Sequence, residues 1–199
     1  MPSKYTTNPR AILAANEHMH MVLQIKPEAP RVYFWKAKLK KPGVLDEGVC
    51  CNWWIEPVTY RDITFRTAEH AMMWAKADLF DDQAAMSAIL EERDPWSVKA
   101  IGRQVMGFKD ELWDNNSYKL VRDICYAKFN QSARLKQWML GQHPDTLFVE
   151  ASPLDYIWGV KLAADNSAVR NMKTWRGYNL LGYALTEAMR KLREEENGQ

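Results

Sequence analysis

The sequence predicts an α+β domain that is mainly α-helical, with a small β-sheet. Three observations carry this expectation. Aromatic and β-branched residues alternate near the front, from Arg31 onward. From Thr67 the apolar spacing changes to a helical period and returns to it in most later segments. Finally, 199 residues with 47% in the hydrophobic class suit a single packed core, which excludes a largely disordered chain.

Residues 1–30 read as an N-terminal extension, polar at its start and closed by Pro27 and Pro30. Within it, residues 11–16 suit a short helix and residues 19–25 a strand, and the pattern does not separate the two. The domain itself is expected over 31–196. Arg31 to Leu39 alternates and reads as a strand, followed by a turn at Lys40-Lys41-Pro42-Gly43. Val49 to Trp54 and Val58 to Phe65 read as two further strands around Pro57, giving a β-rich front.

Thr67 is a good N-cap for a helix from Ala68 to about Phe80. Further helices are expected from Gln83 to Arg93 and from Trp96 to Val105, the latter with Pro95 in its first turn. Two more follow, from Asp110 to Phe129 and from Arg134 to Leu140, before Gly141 to Pro144 breaks the pattern. Thr146 to Ala151 reads as a short strand, and Leu154 to Asn166 has no period and reads as loop. A last helix starts near Asn179, with Leu180, Leu181, Ala184, Leu185, Ala188, Met189 and Leu192 on one stripe. Glu194 to Glu196 and Gly198 read as a frayed tail.

Charge narrows the function classes. Lys and Arg total 27 against 25 Asp and Glu, a formal +2, which argues against a dedicated nucleic-acid binder. It leaves room for a local patch at Lys36, Lys38, Lys40 and Lys41. Cys50, Cys51 and Cys125 make a poor disulfide framework. No signal-like core opens the chain, and no run approaches the ~18 apolar residues of a membrane span. The expectation is a cytoplasmic protein with reduced thiols and no membrane partner; the oligomeric state is not legible.

The helix at 67–80 is the most informative segment, since three adjacent apolar stripes leave little of it for water. Glu69 and Lys76 then lie two turns apart on one face, about 10 Å at the backbone. Buried charges are kept for a partner or a function, so the pair is a candidate site, with a structural ion pair as the bland alternative. Asp155, Trp158, Gly159 and Asp165 fall in the unpatterned loop, where binding groups concentrate; a core tryptophan anchoring that loop is the alternative for Trp158. Asn179 suits a helix cap. Arg103, after Gly102, suits a phosphate or plain solvent, and Lys128 has the same two readings. His18 and His20 are close, but His70 and His143 are isolated, so no metal is expected. Walker A, G-x-G-x-x-G and G-x-S-x-G motifs are absent, and no cofactor is expected.

Taken together, the segments resemble the NADAR superfamily, also called YbiA-like. The matching pieces are Asn52-Trp53, Ile63-Thr-Phe-Arg-Thr-Ala-Glu-His70, Trp74-Ala-Lys-Ala77, Gly102-Arg103, Trp113 and Ala127-Lys-Phe-Asn-Gln131. They continue with Val149-Glu-Ala-Ser-Pro153, Asp155, Ile157-Trp-Gly159, Asp165 and Trp175 to Gly182. Order and spacing hold from about Val32 to Leu192. Two departures stand out: Cys50-Cys51 replaces the Leu-Ser usual before Asn52, and Ala75 replaces a frequent Gln.

The resemblance implies a compact, mostly α domain with ribosyl N-glycosidase activity. One branch resembles hydrolases of phosphoribosylamino-pyrimidine riboflavin intermediates; another removes ADP-ribose from guanine in nucleic acid. Either substrate, a small ribosyl phosphate or ADP-ribosylated nucleic acid, loses its base at ribose C1′. By this resemblance Glu69 shuttles a proton and Lys76 forms a Schiff base with the opened sugar, with Lys128 a second candidate. A two-carboxylate scheme would instead pair Glu69 with Asp165. Trp158 and Trp113 would stack on the base, Trp53 and Trp175 would line the pocket, and Asn52, Asp165 and Asn179 would hold polar groups. Arg103 would meet phosphate. Trp35, Trp54, Trp74, Trp96 and Trp138 are assigned to the core or its edges. The alternative function is a non-catalytic ADP-ribose or nucleotide-binding module, which needs the tryptophans and Arg103 but not Glu69.

Overall fold

The computed structural model describes residues 25, 26 and 28–198. The alternatives over residues 11–16 and 19–24, and the extension as far as residue 24, lie outside the described residues. His18 and His20 fall there too.

The chain begins with strand β1 (Arg31–Phe34), which pairs in parallel with β4 (Leu147–Glu150), Arg31 opposite Leu147 and Phe34 opposite Glu150. The strand expected to Leu39 therefore stops early, because β4 offers four partner residues and the chain turns away at the half-exposed Trp35. The turn at Lys41–Val44 is present, closed by a backbone bridge, with Gly43 at φ 76°.

The strand expected over Val49 to Trp54 is instead a 3-10 turn, Glu47–Cys50. Asp46 caps it by accepting from the Gly48 N–H, and Val49 and Cys50 are both fully buried. A short apolar run buried without alternation carries no strand signal. The segment Val58 to Phe65 is a hairpin rather than one strand: β2 (Val58–Tyr60) pairs with β3 (Ile63–Phe65). Arg61 and Asp62 both take positive φ between them, as a two-residue hairpin turn requires.

Six α-helices follow among the described residues. They are α1 (Ala68–Leu79), α2 (Gln83–Glu91), α3 (Pro95–Gly102), α4 (Asp110–Gln131), α5 (Ala133–Leu140) and, after β4, α6 (Leu180–Asn197). Thr67 caps α1 as expected, and every residue from Ala68 to Ala77 is buried. α4 packs along α6 and against α1, while α3 and α2 also pack on α1. The tail expected to fray stays helical to Asn197, because Tyr126 donates to Glu195 and Lys136 pairs with Glu196. No helix among the described residues is long and apolar enough to cross a membrane.

The long connection from β4 to α6 positions the site. Its halves are sewn together by Arg176 N–H to Val160 O, Tyr178 N–H to Tyr156 O and Asn179 N–H to Gly159 O. Gly177 makes this possible: a Cβ there would sit 2.2 Å from the Gly159 carbonyl oxygen.

Candidate active site

Helix α1 supplies two charged side chains from its buried interior. Glu69 is 5% and Lys76 8% exposed. The Glu69 N–H donates to the Asn52 carbonyl, fixing the start of α1 on the turn after the 3-10 segment. Burial pushes the Glu69 carboxyl above its ordinary range. The Lys99 ammonium and a hydrogen bond from Trp53 oppose that shift, and the nearby Asp155 adds to it.

Two turns on, the Lys76 ammonium donates to the Gly102 carbonyl at 2.8 Å and lies over the rings of Phe108 and Trp113, 4.4 and 5.3 Å from their centroids. Burial pulls this amine down to about 8, and the Arg103 guanidinium adds to the shift. Arg103 also acts on Glu69. One exposed arginine thus lies within electrostatic reach of both candidate catalytic groups. Close packing of α3 on α1 makes this possible, since a Cβ on Gly102 would stand 2.1 Å from Met73 Sδ.

The carboxylate partners of Glu69 come from β4 and the loop after it. Burial pushes Glu150 up to about 8, and Asp155 and Glu69 push it the same way. Its Oε2 is buried with no hydrogen-bond partner. Asp155 is aimed by its own turn: its Oδ1 accepts from the N–H groups of Ile157 and Trp158 at 2.9 and 2.8 Å. Ser152 Oγ accepts from the Asp155 N–H in turn. Three carboxyls (Glu69, Glu150, Asp155) and two cations (Lys99, Arg103) therefore share one electrostatic neighbourhood beside a tryptophan.

The other expected residues divide. Asp165 sits exposed before the 3-10 turn Ser167–Arg170, whereas Asp155 is among the groups that act most strongly on Glu69. Trp113 is 4% exposed with the Lys76 ammonium over its ring, so it forms the wall of the lysine site rather than an open stacking surface. Trp175 spends its indole N–H on the Val169 carbonyl at 2.7 Å, holding the loop. Trp158 is half-buried beside Asp155, with its backbone bound to it. Asn52 lies buried against Met72.

Asn179 is fully buried and makes no side-chain cap. Its Oδ1 accepts from Glu150 N–H and its Nδ2 donates to the Phe148 carbonyl, extending the edge of β4. Lys128 is 1% exposed, donates to the Cys51 carbonyl, and is surrounded by Cys50, Cys51, Cys125 and Glu56. It is walled off in the core, where burial pulls its amine down. Trp96, expected in the core or its edge, is instead 65% exposed.

Sequence reasoning missed Glu150 and Lys99 as site groups, and placed Asp155 in the binding loop without giving it a role. Two signals pointed to them. Glu150 is the lone carboxyl closing an apolar strand, and Lys99 stands one helical turn before Arg103 on the same face. No three His, Cys, Asp or Glu side chains group as metal ligands among the described residues. The arrangement can hold a neutral carboxyl and a partly neutral amine near a positively charged rim, which suits proton transfer and amine attack on an anionic substrate.

The chain is similar to known proteins over most of its length. The sequence model of the NADAR domain family matches residues 33–193. Over 171 residues the chain is 32% identical to the N-glycosidase R617 of Acanthamoeba polyphaga mimivirus, covering 82% of this chain and 95% of that protein. It is 26% identical over 151 residues to the N-glycosidase YbiA of Shigella flexneri, covering 76% of this chain and 85% of the relative. The fold matches the NMR structure of the E. coli protein YbiA with a TM-score of 0.68 and 23% identity, over 86% of this chain and 89% of that one.

Proposed function

The chain belongs to the NADAR domain family, and from that premise we propose that it is a hydrolase of N-glycosyl bonds that cuts the C1′–N bond of a phosphorylated ribosyl base. The observation carrying the reading is the pairing of Glu69 and Lys76 on one buried helix face, with Arg103 acting on both. A structural ion pair would bring the two charges together. Here each is held apart by its own partners, Trp53 and Lys99 around Glu69, Gly102 and the aromatic rings around Lys76.

The chemistry follows from the two protonation states. Glu69, biased toward its neutral form, gives a proton to the ribose ring oxygen. The ring opens, and C1′ becomes the carbon of an imine to the base nitrogen. The neutral fraction of Lys76 adds to C1′ through Nζ. A proton passes to the base nitrogen, the C1′–N bond breaks, and the base departs with the electron pair. Water then hydrolyses the lysine imine, releasing the sugar as an aldehyde and restoring the amine. Asp155 supplies the negative field beside the carbon that gains positive charge, while Arg103 and Lys99 take the phosphate.

The substrate is a phosphoribosylamino pyrimidine or an ADP-ribosylated guanine, which share this bond. The test is incubation with each, with released base read by chromatography. Release from either one, lost in Glu69→Gln, is the expected result. A wild-type protein that binds ADP-ribose and releases no base from either substrate assigns the fold to a binding module instead.

A further inference from the structure

We propose that Trp96 is a stacking platform for the substrate's planar base, an inference that rests on the N-glycosidase reading above. Trp96 is 65% exposed, an unusual position for so large an apolar ring. It is not a stray surface residue. Its ring meets Trp53 in a T-shaped contact, centroids 6.0 Å apart and planes at 85°, and Trp53 in turn acts on the buried Glu69 carboxyl. The exposed ring is thus one aromatic contact removed from the proton donor.

Helix geometry adds a second, independent argument. Trp96 and Lys99 of α3 and Arg103, its C-cap with right-handed helical backbone, are spaced three and then four residues apart and so share one face. Lys99 and Arg103 both act on Glu69, so that face lies near the buried carboxyl. From Trp96 to Arg103 the helix rises about 10 Å, the scale of a nucleotide from its base to its phosphate. A flat apolar ring at one end and cations at the other match a base joined through ribose to phosphate. A T-shaped pair leaves a face of Trp96 free for a heterocycle, and stacking tolerates any base because every base has a π face.

Binding of guanosine 5′-monophosphate, uridine 5′-monophosphate and ribose 5-phosphate, measured by calorimetry on wild type, Trp96→Ala and Trp96→Phe, tests this. The expected result is that Trp96→Ala weakens nucleotide binding about tenfold and leaves ribose 5-phosphate unchanged, while Trp96→Phe restores most of the loss. A loss confined to the guanine nucleotide supports the platform and points to modified nucleic acid as the source of the base. One confined to the uracil nucleotide supports it and points to the free pyrimidine. Three results overturn it: wild type binding nucleotides no tighter than ribose 5-phosphate, Trp96→Ala binding them as wild type does, or Trp96→Ala losing ribose 5-phosphate equally.

Base release is measured separately. Failure of wild type to release base, with nucleotide binding still dependent on Trp96, sinks the glycosidase reading alone. Release with an unchanged KM in Trp96→Ala sinks the platform alone.

Discussion

Lys76 donates from Nζ to the carbonyl of Gly102, the residue that ends α3. That bond ties the amine's position to the packing of α3 on α1, and so to the absence of a Cβ at Gly102. With its amine pulled down to about 8, Lys76 has a minority neutral form at pH 7 and a majority at pH 9. Borohydride trapping in the presence of substrate should therefore increase across that window. Peptide mapping should place the adduct on Lys76, with none on Lys128, which is 1% exposed and bound to the Cys51 carbonyl. Lys76→Arg should abolish it. An adduct on Lys128, or trapping that falls from pH 7 to 9, would sink this assignment.

Glu150 carries a stability signature. Its folded carboxyl is pushed up to about 8 from an ordinary 4.5, so between those values the folded state holds a proton that the unfolded state has lost. Stability from this group is present below pH 4.5 and is lost as pH rises toward 8. Glu150→Gln, which mimics the neutral form, should flatten that loss. Melting temperatures at pH 5 and pH 8 check it: the variant should gain on wild type at the higher pH. An equal gap at both would count against a buried, proton-holding Glu150.

Gly177 holds the loop that aims Asp155. A Cβ there would meet the carbonyl oxygens of Gly159 at 2.2 Å and Tyr156 at 2.8 Å, both backbone atoms that cannot rotate away. Gly177→Ala should cost about 3 kcal/mol, the upper end for an overpacked position. It should also lower base release under conditions where the variant remains folded. Denaturant melts and activity below the transition separate the two effects.

Asn179 should behave as a structural residue rather than a ligand contact. It sits fully buried at φ 56° with both ends of its amide bonded to β4. Asn179→Ala leaves a buried N–H and C=O without partners and places alanine in left-handed backbone, a loss of about 3 kcal/mol. Asn179→Gly should recover about 1 kcal/mol of that by relieving the backbone term alone. Chemical denaturation of the pair measures the difference, and equal stabilities would refute the backbone part.

Much of the fold was legible because it is local. The period of Leu180 to Leu192, the Thr67 cap and the Pro95 start are encoded within one or two helical turns, and each appears where the pattern puts it. The front was less legible. Cys50 and Val49 are apolar because they are buried on all sides, and burial of that kind gives strands and tight turns the same composition. Among the site residues, Glu69 and Lys76 were readable because α1 has no polar face on which to hide them. Asp165 and Asp155 could not be ranked, since both lie in a segment without period and only the hydrogen bonds from Ile157 and Trp158 distinguish the second.

The sequence by itself determined the helical domain, the buried charged pair on α1 and the family to which these residues belong. Only the tertiary structure decided which carboxyls join that pair, that Lys128, Trp113 and Asn179 are held inside the protein, and that Trp96 faces out beside Trp53. The reason is physical. A helix places its own side chains by a fixed rotation and rise per residue, whereas the approach of β4, α3 and the loop after β4 to Glu69 depends on contacts between residues up to about ninety positions apart, which no local period records.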